Sequence, residues 1–231
     1  MSFQDLAERI GRVRDDIAAI QRREGLAGAV RIVAVTKGHP PAAVAAVAAA
    51  GIPDVGENRV HEALHKQEQL TGLTVQWHLI GHVQTNKAKL VPGRFALVHS
   101  VDSTRLGAAL AKAVVAHAPG GRLAVLVQVN VAREDQKSGC APESLGDVLG
   151  ELGTHGNLDV CGLMTMAPFT DDEQVQRRVF AALRELRDRH QTPTCPLPEL
   201  SMGMSGDYPA AVAEGATLLR LGTVLLGERP Q

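Results

Sequence analysis

Eight short apolar runs, each separated from the next by a stretch of helical character, constrain this chain more than any other feature. The runs are AVRIVAVT (29–36), IPDVG (52–56), VQWHLIG (75–81), FALVHSV (95–101), RLAVLVQVNV (122–131), LDVCGLMTM (158–166), ELSMGM (199–204) and TLLRLG (217–222). RLAVLVQVNV is β-branched and nearly uninterrupted, the pattern of a strand buried on both faces. Helical stretches fall near 41–50, 58–70, 85–90, 103–117, 143–153, 172–190 and 207–215. A further helix over 3–22, apolar at Leu6, Ile10, Val13, Ile17 and Ile20, precedes the first strand. Eight strand–helix repeats with short connections predict an α/β fold, a single closed (β/α)8 TIM barrel with an extra N-terminal helix. A doubly wound open sheet shares this alternation and is the competing architecture. HQTPTCPLP (190–198) reads as a loop before the seventh strand.

A chain of 231 residues suits one domain, here 1–231. Its 24 Lys and Arg against 25 Asp and Glu give no general electrostatic reason to bind nucleic acid or a membrane, so a small molecule is the expected partner. Aromatic residues are only 3% of the chain, which argues against base stacking and leaves the core to Ala, Val, Leu and Ile. No stretch reaches the roughly 18 uncharged apolar residues of a membrane span, and the N-terminus lacks an apolar signal core. A soluble cytoplasmic protein is expected. Cys140, Cys161 and Cys195 are odd in number and widely spaced, as reduced structural thiols would be. No exposed apolar stripe stands out, so a monomer is expected.

In a barrel of this kind the active site lies at the C-terminal ends of the strands. Polar residues collect there: Thr36 and Lys37 after the first strand, Glu57 and Asn58 after the second, His78 on the third. A lysine beside a buried strand has its neutral, nucleophilic amine favoured, ready to react with an aldehyde. A lysine snorkelling to water is the alternative. Glu57 and His78 stand near the same mouth, or satisfy buried polar groups.

At the other end of the chain, SMGMSGDYPAAV (201–212) and TLLRLGTVLLGE (217–228) end the seventh and eighth strands, where barrels frequently bind phosphate. Ser201, Ser205, Gly222 and Thr223 would supply hydroxyls and close backbone approach to an anion. Helix capping by Ser205 and packing at Gly222 are the structural alternative. Arg220 is the odd residue of an apolar strand and needs a partner, either a carboxylate or a cofactor ring. The histidines show no metal-ligand spacing.

Taken in order, VAVTKGHP (33–40), VGENRVHE (55–62), WHLIGHVQTNK (77–87), HSVDS (99–103), QVNVAREDQKSG (128–139), GLMTM (162–166), LSMGMSGDYPAAVAEGAT (200–217) and RLGTVLLGER (220–229) resemble the pyridoxal phosphate homeostasis protein family. These are single-barrel relatives of the alanine racemase N-terminal domain. The resemblance implies that Lys37 holds pyridoxal 5′-phosphate (PLP), the vitamin B6 cofactor, as a Schiff base. It also implies that Ser201, Ser205, Gly222 and Thr223 surround the phosphate, and that Asn58 and Arg220 lie near the ring. A pyridine nitrogen facing an arginine stays unprotonated, which makes the ring a weaker electron sink. The sequence departs from the family pattern at Val55, Arg59 and Leu226, where Phe, Tyr and Phe are usual. These changes remove aromatic surface near the barrel and bear on the detailed packing around the cofactor.

Racemisation needs a base on each face of the substrate. Alanine racemases draw the second from a tyrosine of a further domain, which a chain ending at Gln231 is expected to lack. The expected role is therefore a PLP carrier in intracellular homeostasis, handing cofactor to PLP-requiring apo-enzymes and affecting amino-acid and keto-acid balance indirectly, without efficient turnover. A weak racemase using Lys37 with water or Tyr208, the only tyrosine, is the alternative. A sugar-phosphate barrel in which Lys37 is merely a point charge is a third possibility.

Overall fold

All eight runs form strands in the computed structural model, which describes residues 3, 5–134, 136 and 138–228. They are β1 (Arg31–Val35), β2 (Asp54–Glu57), β3 (Gln76–Leu79), β4 (Leu97–Val101), β5 (Leu123–Gln128), β6 (Leu158–Met164), β7 (Glu199–Ser201) and β8 (Leu218–Leu221). Each is parallel to its neighbours, and pairing of β1 with β8, with Val33 opposite Arg220, closes the barrel. An open sheet is thereby ruled out.

The helices are α1 (Leu6–Glu24), α2 (Pro41–Ala49), α3 (Val60–Gln69), α4 (Thr104–His117), α5 (Leu145–Gly153), α6 (Glu173–His190), α7 (Tyr208–Ala213) and α8 (Thr223–Leu226), with 3-10 turns at Thr85–Leu90 and Pro142–Ser144. Two helix starts are capped in sequence-legible fashion. Ser103 accepts from the Leu106 amide before α4, and Asp172 accepts from those of Gln174 and Val175 before α6. α1 buries Leu6, Ile10, Val13, Ile17 and Ile20 and ends at Gly25. Arg9 Nη1 donates to the Leu225 carbonyl at 2.9 Å, and Tyr208 Oη donates to Asp16 Oδ2 at 2.7 Å, so α1 is tied to α8 and α7.

Each strand is buried on two sides, which is why its apolar run is nearly continuous. Val33, Leu97, Leu126, Met164 and Leu218 cluster inside the barrel. The outward residues, such as Ala34, Val55 and Leu163, pack with the helices in a separate, larger core.

Strand ends differ from the sequence reading by up to three residues. β7 stops at Ser201 because Gly203, at φ +92°, turns the chain. β5 stops at Gln128, with only an isolated bridge from Val129 to Cys140 beyond it. The short α8 has too few residues for periodicity to reveal. Of the segments singled out above, Gln4, Asp135, Lys137 and residues 229–231 lie outside the described residues, as do residues 1–2 of the expected domain. Cys140, Cys161 and Cys195 are free thiols, and burial pushes Cys140 up to about 11. Among the described residues no helix is long and apolar enough to cross a membrane.

Candidate cofactor site

The strand periodicity that points Val33 into the barrel carries Val35 and Lys37 to the same side, at the C-terminal mouth. There they border a cavity of about 620 Å³. Asn58, Ser205, Arg220, Gly222 and Thr223 border it too, so six of the seven sequence-nominated residues converge from β1, β2, β7 and β8.

The backbone around Lys37 is held from outside the barrel. Lys66 of α3 donates to the Thr36 carbonyl at 2.8 Å and to Glu57 Oε1 at 2.7 Å. Thr36 Oγ1 donates to the same Glu57 oxygen at 2.5 Å, while the Gly38 amide donates to Glu62 Oε1 at 2.6 Å. Both residues flanking Lys37 are thus fixed by charged groups of β2 and α3. Burial lifts the Glu57 carboxyl above the ordinary carboxylate range, against the opposing pull of Lys66 and Thr36. Glu57 is fully buried and faces α3, so the structure gives it a supporting place and not one at the mouth.

Arg220 is 4% exposed, and its guanidinium donates to Ser201 Oγ at 2.7 Å and to the Thr165 carbonyl at 2.9 Å. These partners are neutral oxygens, so a strand carboxylate does not explain the residue. Burial pushes its pKa down to about 10, with Asp207 opposing, and it remains a cation at neutral pH. Two of the five guanidinium N–H donors are used in these bonds, and Arg220 is part of the cavity wall.

Ser205 Oγ accepts from the amides of Gly222 and Val224, each at 3.2 Å, which brings a hydroxyl, two amides and the neighbouring Thr223 together on one rim. Ser201 is not part of that rim. It is fully buried inside the barrel, where its Oγ meets Arg220 and His99. The expectation that both serines share one anion site is corrected accordingly. His78 is also inside the barrel below the mouth, bonded to Asp54 and His99.

These residues fit an aromatic aldehyde phosphate. An amine, a buried cation and a hydroxyl-amide rim surround one cavity of suitable size. Gly222 adds a further observation: its φ of −113° is not confined to glycine, and a Cβ there would meet only Val35, at 3.5 Å. The protein's own packing does not demand a glycine at this rim.

The family model for the alanine racemase N-terminal domain matches residues 10–230. The pyridoxal phosphate homeostasis protein of Aquifex aeolicus is 39% identical over 96% of this chain and 97% of its own length. The chain belongs to the pyridoxal phosphate homeostasis protein family. Among solved structures, PipY of Synechococcus elongatus PCC7942 superposes with a TM-score of 0.86 without PLP and 0.82 with PLP bound, each over 96% of this chain and all of PipY, at 38% and 36% identity. The alanine racemase of Corynebacterium glutamicum matches at TM-score 0.67 and 17% identity over 94% of this chain and 62% of that enzyme, a likeness of fold alone.

For a member of this homeostasis family, three departures looked consequential in the sequence. Val55, Arg59 and Leu226 are all absent from the cavity wall. Val55 and Leu226 pack in the outer core and Arg59 is exposed, so the cofactor surface is not where the aromatic residues were lost. Tyr208, the other candidate base, is also off the wall, its phenol held by Asp16 and its pKa pushed well up by burial and that carboxylate. Sequence reasoning missed the loop Met166–Ala167–Pro168–Phe169–Thr170–Asp171, which borders the cavity and exposes Phe169 fully. An aromatic residue between Pro168 and Thr170 in a chain so poor in aromatics was the available signal.

Proposed function

We propose that this protein binds PLP through Lys37 as a Schiff base and acts in cytoplasmic PLP homeostasis as a single-domain carrier, donating cofactor to PLP-requiring apo-enzymes. The observation that carries this reading is the convergence of Lys37, Arg220 and the Ser205–Gly222–Thr223 rim on one cavity. Lys37 Nζ supplies the amine, Ser205, Thr223 and the neighbouring amides receive the phosphate, and Arg220 and Asn58 lie beside the ring. The family membership and the PLP-bound structure of PipY support it.

When bound, PLP supplies an electron sink for amino-acid chemistry. The residues here limit that use. Arg220 faces the ring with a charge that disfavours a second proton on the pyridine nitrogen. Tyr208 is turned away to Asp16, so it cannot act as the base opposite Lys37. The chain is proposed to work as a monomer, with indirect effects on amino-acid and keto-acid balance.

The test is an absorbance spectrum of the purified protein with PLP, before and after borohydride, for the native chain and Lys37→Ala. A visible band that disappears on reduction and is missing in the variant is the expected result. Folded native protein with excess PLP and no such band would overturn the reading in favour of a sugar-phosphate barrel.

A further inference from the structure

The barrel interior holds an uninterrupted polar column beneath Arg220. Arg220 Nη1 meets Ser201 Oγ at 2.7 Å; Ser201 Oγ meets His99 Nδ1 at 2.8 Å; His99 Nε2 meets His78 Nδ1 at 2.8 Å; His78 Nε2 meets Asp54 Oδ1 at 2.9 Å. His99 on β4 and Ser201 on β7 belong to strands that are not neighbours, so their bond crosses the lumen. Asp54 is the first residue of β2, and Arg31, the first of β1, lies 3.8 Å from its Oδ1. The column therefore runs from the cofactor mouth to the opposite end of the barrel.

The chemistry of its two ends sets its direction. A guanidinium can only donate, and a carboxylate can only accept. The column uses every donor and acceptor when Ser201 Oγ accepts from Arg220 and gives its one proton to His99 Nδ1. His99 then carries its proton on Nε2 and donates to His78 Nδ1. His78 in turn carries its proton on Nε2 and donates to Asp54. In this direction the two rings share one tautomer, and both nitrogens of each ring are used.

We propose that Ser201, His99, His78 and Asp54 are positioning residues: a one-way hydrogen-bond relay that fixes the Arg220 guanidinium against the ring-binding side of the cavity. Barrel lumens are ordinarily filled by apolar side chains, as Val33, Leu97, Leu126, Met164 and Leu218 fill this one elsewhere. Two imidazoles and a carboxylate are costly there unless every polar atom is satisfied. Full satisfaction in one direction commits the Ser201 proton to His99 and leaves its oxygen to accept from Arg220, whose guanidinium is oriented by its bonds to Ser201 and to the Thr165 carbonyl. The relay's influence on the ring rests on the PLP reading for the identity of the group that Arg220 faces.

The first measurement needs no cofactor. Long-range proton–nitrogen NMR of nitrogen-15 histidine-labelled, PLP-free protein at neutral pH should show His78 and His99 both protonated on Nε2 and bare on Nδ1. A Nδ1–H tautomer or an imidazolium at either ring overturns the relay. The second measurement is the pH titration of the visible band of the PLP-loaded protein. Ser201→Ala and His99→Gln should move its midpoint upward by about one pH unit, equivalent to about 1.4 kcal/mol, since a fixed cation beside the ring favours loss of the imine proton. Ser201→Thr, which keeps the hydroxyl, and Leu126→Ala, a lumen change outside the column, should leave it unmoved. An unmoved midpoint in Ser201→Ala, or an equal shift in Leu126→Ala, overturns positioning. Absence of any band in the native protein would defeat the PLP reading, while the NMR result would still decide the relay.

Discussion

Lys66 Nζ stands 2.8 Å from the backbone oxygen of Thr36, joining the middle of α3 to the residue before Lys37. The same ammonium is the cationic partner of the fully buried Glu57, at 2.7 Å. Removing one member of a buried ion pair leaves the other charge without compensation, at a cost of about 3–5 kcal/mol. Lys66→Met is expected to lower stability by that amount in urea denaturation and to weaken PLP binding, because the backbone carrying Lys37 loses its anchor. Native-like stability in this variant would show that α3 does not hold the site.

Acid acts on two buried groups in opposite senses. Glu57 has its folded pKa raised by burial from an ordinary value near 4.5, so between those values the folded chain keeps a proton that the unfolded chain has lost. Its contribution to stability therefore falls as pH rises through that window. His99 has its folded pKa pushed well below 6.5 by burial, then by His78 and Arg220, so the unfolded chain takes up a proton that the folded one refuses. That contribution is complete above about 6.5 and is lost as pH falls below it. Urea midpoints measured between pH 4.5 and 7.5 should show a steeper acid loss in Glu57→Gln and a flatter one in His99→Gln. The slopes carry the result, since both variants also lose hydrogen bonds. Slopes matching the native chain would mean that neither group titrates across unfolding.

Adjacent residues explain what the sequence could and could not disclose. Strand positions were legible because both faces of each strand are buried, giving continuous apolar runs. The same continuity hides which polar residue points inward. Glu57 and Asn58 follow each other in the chain, yet Glu57 turns out toward Lys66 while Asn58 borders the cavity. Ser201 and Ser205 lie in one motif, and only the turn at Gly203 separates the lumen residue from the rim residue. Asp54, His78 and His99 each look like a solitary strand polar group in the sequence. Barrel closure and stagger bring them into line, and neither is written in any one segment.

Tyr208 offers a separation of stability from cofactor binding. Its phenol joins α7 to Asp16 of α1, and Asp16 is exposed, so the bond is worth about 1 kcal/mol. Tyr208→Phe should lower the urea midpoint by a corresponding amount and leave the PLP band and its borohydride sensitivity unchanged. Loss of the band in a variant that remains folded would place the phenol nearer the cofactor than its bond to Asp16 permits.

Two glycines on the cavity wall should respond to the same substitution in contrary ways. A Cβ on Gly81 would lie 2.4 Å from the Asn58 carbonyl oxygen and 2.8 Å from its Cα, both backbone atoms that cannot swing aside. Gly81→Ala must therefore displace the end of β2, and overpacking of this kind costs about 1–3 kcal/mol. A Cβ on Gly222 meets Val35 at ordinary contact distance, so Gly222→Ala is expected to change stability by no more than about 0.5 kcal/mol. It would nevertheless add bulk where the phosphate is proposed to approach the amide, and about tenfold weaker PLP binding would correspond to about 1.4 kcal/mol. Thermal or urea unfolding paired with PLP titration of the two variants separates the effects. Gly81→Ala should lose both stability and affinity, while Gly222→Ala should lose affinity alone. Equal affinity in Gly222→Ala and the native protein would move the phosphate site away from this rim.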